Sequence, residues 1–209
     1  MNVKVSPSRQ KLIDGATRAL LKDGVSGTTT RKIAEEAGVR LATLHYHFKN
    51  KDELLFAVLV EVTHALEIYL DDEVKPSKNI NDCISELITA IWKLVKKTKD
   101  LQIIQIDLTM HAVRHQDKYW IAKQQYEGYV LQYQRILKES NSGLLSNDHL
   151  RVLAEFLLAG TDGILLQELA SSSDARSQQL LERLIEAGQA AAKSLACIQN
   201  GGPPPTLRP

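Results

Sequence analysis

Apolar residues in this chain return every three or four positions, without sustained alternation of apolar and polar, and glycine or proline stands mainly at the joints. That spacing keeps apolar side chains on one face of a helix, whereas a half-buried strand needs a period of two. The fold class expected is all-α, with about nine helices and no strand. Local signals place the joints. Ser6-Pro7 opens a first helix, because proline at the first helical position gives up only an N–H that would be unpaired there. Leu12, Ile13, Ala16, Ala19 and Leu20 form its apolar face, and Asp23-Gly24 ends it. Thr28 and Thr29 can cap a short second helix over 31–37, with Ile33, Ala34 and Ala37 inward, and Gly38 stops it. A third helix is expected over 41–47. Asn50 and Glu53 then form a capping box, each satisfying the other's free amide, ahead of a long fourth helix with Leu54, Leu55, Val58, Leu59, Val62, Leu66 and Leu70 at helical spacing. Further amphipathic segments fall at 80–98, 101–115, 118–140, 147–171 and 174–198. The tail at 200–209, with its proline run, has nothing to bury and is expected to be disordered.

A chain of 209 residues is long enough for a real hydrophobic core without metal or disulfide. Cys83 and Cys197 lie far apart with no paired spacing, and His111 and His115 form a helical pair without a carboxylate or cysteine at ligand spacing. No metal or cofactor is expected. No apolar stretch approaches the roughly 18 residues needed to cross a bilayer and no leader-like segment opens the chain, so a cytoplasmic protein without a membrane partner is expected. The net charge of +1 hides an asymmetry: residues 1–51 hold ten Lys and Arg against four Asp and Glu, and the rest holds 16 against 21. A basic head on an acidic body suits a nucleic-acid contact confined to the head.

Within the head, a short helix, a tight turn at Ala37-Gly38-Val39 and a second helix bearing cations and hydroxyls is the layout of a helix-turn-helix DNA reader. Gly38 lets the chain turn, while Val39, Leu44 and Phe48 hold the second helix against the first. Arg40, Leu41, Ala42 and Thr43 lie in the first turn of the reading helix, where base edges are nearest, followed by His45, Tyr46 and His47. Lys49 and Lys51 stand at the start of the fourth helix, where amide dipoles also favour a phosphate. A solvated basic face on an ordinary three-helix subdomain is the alternative.

The stretch TTTRKIAEEAGVRLATLHYHFKNKDELL at 28–55 resembles the TetR family of bacterial transcriptional regulators. Thr29, Ile33, Ala34, Ala37, Gly38, Val39, Leu44, His47, Phe48, Lys51 and Leu54 match that family's pattern. The resemblance implies phosphate contacts from Thr28, His45, Tyr46, His47 and Lys51, and base or groove contacts from Arg40, Leu41 and Thr43; Thr30, Arg31 and Lys49 complete the candidate DNA-binding set. His45 departs from the family's usual tyrosine, and Leu41 stands where lysine or serine is common, which favours thymine methyl groups. The expected organisation is a helix-turn-helix DNA-binding domain at 1–52, a helical effector-binding and dimerisation domain at 53–199, and the tail.

A single helix-turn-helix contacts few bases, so a homodimer on a palindromic operator of double-stranded DNA is expected. Phe156, Gly160, Gly163, Ile164 and Gln167, with Leu181, Leu184 and Gly188, are the candidate interface; the alternative is that these helices close the chain's own core. Among the middle helices, Trp92, Asp107, His111 and Tyr126 are the candidates for lining a small-molecule effector site, with surface aromatics as the alternative. The function expected is a ligand-responsive repressor released by its effector. An enzyme or carrier on a helical bundle is the competing class, but no nucleophile elbow, phosphate-cradling glycine loop or two-metal carboxylate pattern supports catalysis.

Overall fold

The computed structural model describes residues 6–171 and 173–201. Nine α-helices and one 3-10 turn account for the regular structure of these residues, with no strand among them. They are α1 (Pro7–Gly27), α2 (Thr30–Glu36), α3 (Leu41–His47), α4 (Lys51–Glu73), α5 (Ile80–Lys97), α6 (Lys99–Arg114), the 3-10 turn (Gln116–Lys118), α7 (Tyr119–Glu139), α8 (Asn147–Ser171) and α9 (Asp174–Gln199). The expected helices are all present. Of the expected disordered tail, Gly202 onward lies outside the described residues.

The chain forms two compact units, one from residues 1–66 and 98–126, the other from 67–97 and 127–209. In the first unit, Leu12, Ile33, Leu44, Phe48 and Leu54 are essentially sealed from solvent. Fully burying such a side chain stabilises by about 1.5–3 kcal/mol. Ile104, Leu108 and Ala112 of α6 and Ile121 and Ala122 of α7 belong to the same core, so the first four helices share their interior with a segment that lies well downstream in the chain.

The helix ends follow from side-chain chemistry. Ser6 Oγ accepts from Arg9 N–H at 3.2 Å and starts α1 with Pro7 in the first position. Helical geometry breaks inside the span of α1 at Gly24, whose φ of 64° lies in the left-handed region. The expected stop at Asp23-Gly24 is therefore a kink. Thr29 caps α2 by accepting from Lys32 N–H at 3.3 Å. At the other end of α2, Val39 N–H reaches Ala34 C=O and Gly38 N–H reaches Glu35 C=O, both at 3.0 Å, with Gly38 at φ 64°. This crossed pair of bonds is the Schellman stop, and it needs a residue that tolerates positive φ. Gly15 lies so close to Ala37 that a Cβ there would stand 2.7 Å from the Ala37 backbone nitrogen.

In the second unit, α8 packs on α9 and α5. Gly160 faces the Leu184 methyl groups, and a Cβ on Gly188 would come within 2.7 Å of a Leu157 methyl. Glu168 is buried, and its carboxylate accepts from Lys96 Nζ at 3.0 Å and from the Ser177 hydroxyl. Burying a carboxylate is tolerated only with such partners.

Candidate nucleic-acid interface

The turn and the core aim α3. Leu44, in its middle, and Phe48, just past its end, are buried in the first unit, and Val39 packs partly against that core. The opposite face is left to solvent: Tyr46 is 85% exposed, and Arg40, Leu41 and His45 are also exposed. His47 is half-buried, its ring edge-on to Tyr46 with centroids 5.0 Å apart. Thr43 is half-buried in the first turn of α3, and Thr30 is half-buried at the start of α2 beside exposed Arg31.

Internal pairing sorts the ten cations of the head. Lys22 and Arg18 both reach the Glu36 carboxylate, and Lys32 pairs with Asp23 at 2.8 Å. The hydrogen bond between Lys22 and Glu36 raises the pKa of the lysine and lowers that of the acid. Arg9 lies 5.0 Å from the Phe48 ring centroid. Arg31, Arg40 and Lys49 are exposed and make no ion pair or side-chain hydrogen bond to another described residue. Lys11 on α1 is likewise exposed without an ion pair, whereas Arg40 and Lys49 bracket α3 in the chain and Arg31 stands on α2 before the turn, so three of the unpaired cations belong to the helix-turn-helix segment.

Two expected phosphate ligands lie elsewhere. Thr28 is buried, and its hydroxyl donates to Gly24 C=O at 2.7 Å. The Lys51 ammonium donates to Val25 C=O and Thr28 C=O, each at 2.7 Å. Burial pushes the pKa of Lys51 down. Both side chains close the loop between α1 and α2. The capping box also differs from expectation: Asn50 Oδ1 accepts from Glu53 N–H at 2.9 Å, but the Glu53 carboxylate accepts from Lys49 N–H at 2.7 Å instead of from Asn50. One amide in the first turn of α4, that of Glu53, is thereby already engaged by the Asn50 side-chain oxygen, and a carboxylate stands at the same helix end.

Sequence reasoning missed how α6 braces this head, because the partners are far apart in the chain. Asp107 Oδ2 accepts from Val25 N–H at 2.9 Å, one residue past the kink. His111 Nε2 lies 3.3 Å from Asp52 Oδ1, and Lys118 Nζ lies 2.9 Å from Asp52 Oδ2. Burial opposes ionisation of Asp52, but hydrogen bonds from Lys118 and His111 outweigh it and hold the carboxyl below its usual range. His115 turns its Nδ1 to His111 C=O at 2.7 Å. Asp107 and His111, expected as effector contacts, thus bond to the end of α1 and the start of α4, the helices on either side of α2 and α3 in the chain. Tyr126 is exposed in the same unit, and Trp92 is half-buried on α5 in the other. A residue that sequence reasoning passed over, Tyr69, has a buried hydroxyl with no partner among the described residues and the Lys97 ammonium 6.0 Å from its ring centroid. Nothing in its local sequence marks it.

The interface candidates divide in the same way. Gly160, Ile164, Leu181, Leu184 and Gly188 are engaged or buried within the chain's own α5, α8 and α9 packing, whereas Phe156 and Gln167 are exposed and Gly163 faces open space. No group of three or more His, Cys, Asp or Glu among the described residues could hold a metal ion, and no described helix is long and apolar enough to cross a membrane.

A sequence model described as bacterial regulatory proteins, tetR family, matches residues 12–58, the stretch from the core of α1 to the first turns of α4. The chain is 27% identical to the HTH-type nicotine-responsive transcriptional repressor HdnoR of Paenarthrobacter nicotinovorans, over 90% of this chain and 96% of that protein. It is 30% identical to the uncharacterized HTH-type transcriptional regulator TtgW of Pseudomonas putida, over 47% of this chain and 71% of that one. Among solved structures, the multidrug binding protein EbrR complexed with imidazole has the same fold, with a TM-score of 0.68 at 24% identity over 87% of this chain and 90% of that chain. Both sequence relatives are described as HTH-type transcriptional regulators. A sequence match over residues 12–58, a helix-turn-helix with its second helix anchored by Leu44 and Phe48, and a shared all-helical fold lead to one conclusion: the chain belongs to the tetR family of bacterial regulatory proteins and is a helix-turn-helix transcriptional regulator.

Proposed function

We propose that this regulator binds a palindromic operator as a homodimer in the cytoplasm, represses from it, and is released by a small-molecule effector. The observation that carries the DNA reading is the division of α3 into a sunken side at Leu44 and Phe48 and an open side at Arg40, Leu41, His45 and Tyr46. Arg40, Leu41 and Thr43 face base edges, while Tyr46, His45, His47, Thr30, Arg31 and Lys49 hold phosphates. Thr28 and Lys51 serve the interface by fixing the loop that carries it.

Residues 1–52 do the reading, and residues 53–199 provide the response and the pairing. For the dimer, Val152, Phe156, Ala159, Gly163 and Leu166 recur on α8 at steps of four and three, the spacing of a coiled-coil seam, and stand exposed or half-exposed. For the effector, the names of relatives supply the precedent, one responsive to nicotine and one bound to imidazole. Candidate contacts within the first unit are Tyr126, Asp107 and His111; within the second unit, taken by itself, Trp92 and the unpartnered Tyr69 hydroxyl are the alternative candidates.

The test is a binding selection from random duplex DNA at moderate salt. An enriched inverted repeat with steep salt dependence is the expected result. No enrichment, together with no binding of bulk DNA at low salt, would reject the reading. Phe156→Glu should yield a folded monomer by sedimentation; a dimer that survives it places the interface elsewhere.

A further inference from the structure

We propose that the first unit carries a site of its own for a small organic cation, an alkylammonium, in the cleft between α1 and α6. The cleft encloses about 330 Å³, at the lower end of the roughly 300–1,000 Å³ of small-molecule pockets. Asp100, Ile103, Ile104 and Asp107 line it from α6. Their spacing of three, four and seven from the first puts all of them on one helical face. Leu20 and Leu21 of α1 form the other wall, beside the kink at Gly24. Two carboxylates therefore stand about 10 Å apart along the α6 axis, at about 1.5 Å of rise per residue, with an aliphatic strip between them.

The chemistry of this lining is selective. None of the residues lining it is basic. Leu21 and Ile103 are 47% and 50% exposed, so the strip is open to a ligand, while Leu20 and Ile104 behind it are buried. Asp107 receives one neutral N–H, from Val25, and no basic side chain is bonded to it among the described residues. An ammonium at either end gains a charged hydrogen bond, an anion is repelled by both carboxylates, and a neutral chain gains only the apolar contact. A straight diamine of roughly seven carbons spans the two acids at ordinary single-bond lengths. The inference rests on the ligand-responsive reading above for its use alone, since occupancy sets a cation against the residue that anchors Val25.

The test is titration calorimetry of the full chain, without DNA, using 1,7-heptanediamine and the neutral 1,7-heptanediol. The diamine should bind one to one and weaken with added salt, and the diol should bind at least about tenfold more weakly. Asp100→Asn and Leu21→Trp, both at exposed positions and checked for retained helicity by circular dichroism, should each weaken the diamine by about tenfold or more. Equal binding of diamine and diol, no diamine binding, or diamine binding indifferent to both substitutions overturns the site. Because the readout contains no DNA, failure here and failure of the DNA-binding reading are separate results.

Discussion

Replacing Asp107 by alanine removes the carboxylate that accepts from Val25 N–H at 2.9 Å, across 82 residues of chain. A hydrogen bond to a charged group contributes about 1.5–3 kcal/mol net. Asp107 borders an open cleft, so water can partly replace it, which favours the lower part of that range. A loss of about 2 kcal/mol corresponds to roughly 4–8 °C of melting temperature for a protein of this size. The loss falls where it matters for reading: Val25 follows the Gly24 kink, and Val25 C=O and Thr28 C=O are the two acceptors of the Lys51 ammonium. We therefore expect Asp107→Ala to lower both the melting temperature and DNA affinity, while Asp107→Asn, which keeps an acceptor oxygen, loses less than half as much. Calorimetric melting and a fluorescence titration with the selected operator measure the two effects. If alanine and asparagine behave alike and neither shifts melting, the carboxylate does not brace the kink and the reasoning fails.

Leu44→Ala should destabilise the head by about 2–5 kcal/mol, as removal of a fully buried leucine does, whereas Tyr46→Ala should leave melting nearly unchanged and weaken binding to all DNA sequences alike. Thermal melting combined with titration of operator and random DNA separates the two. Arg40→Ala should change which bases are selected, and His45→Ala should weaken binding broadly; repeated binding selections with the variants check this, and equal loss on every sequence for both contradicts the assigned roles. The Asp52 carboxyl is held below its usual range, so its ion pairs stabilise the fold above the unfolded value of about 3.9 and lose their effect as pH falls through the lower folded value. The stability gap between the wild type and Asp52→Asn should close as pH falls through the acid range; denaturant unfolding across that range would expose a gap that widens instead.

The helices were legible because their signals are local. Ser6 and Thr29 cap through neighbours three residues on, Gly38 stops α2 through bonds within six residues, and the apolar steps of α4 need only the helical period. The burial of Leu44 and Phe48 and the exposure of Tyr46 followed from the same period. The braces were not legible, because Asp107 reads from sequence as a candidate effector contact, and nothing local ties it to Val25, 82 residues away. Lys51 shows a different limit: a basic residue beside a DNA-reading helix looks the same in sequence whether its ammonium meets a phosphate or two carbonyls. Leu184 shows a third. Burial against Gly160 in the same chain and burial against a partner's helix select the same apolar residue, so periodicity alone could not divide the α8 and α9 residues between core and interface.

That division bears on how an effector acts in the proposed mechanism. Allosteric coupling is typically about 1–3 kcal/mol, so the contacts that a ligand disturbs need only that much difference between bound and free states. Two links from the α6 region to the reading head are of the right size. The Asp107–Val25 bond supplies about 2 kcal/mol, and the Asp52 pairs with His111 and Lys118, on a carboxylate 37% exposed, add no more than about 1 kcal/mol after solvent screening. A ligand that shifts α6 enough to release both has accounted for the whole coupling without deforming the buried core. One that leaves both intact has no comparable handle on α3 among these contacts, whatever its affinity, because a ligand shifts an equilibrium only by its difference in affinity for the two states.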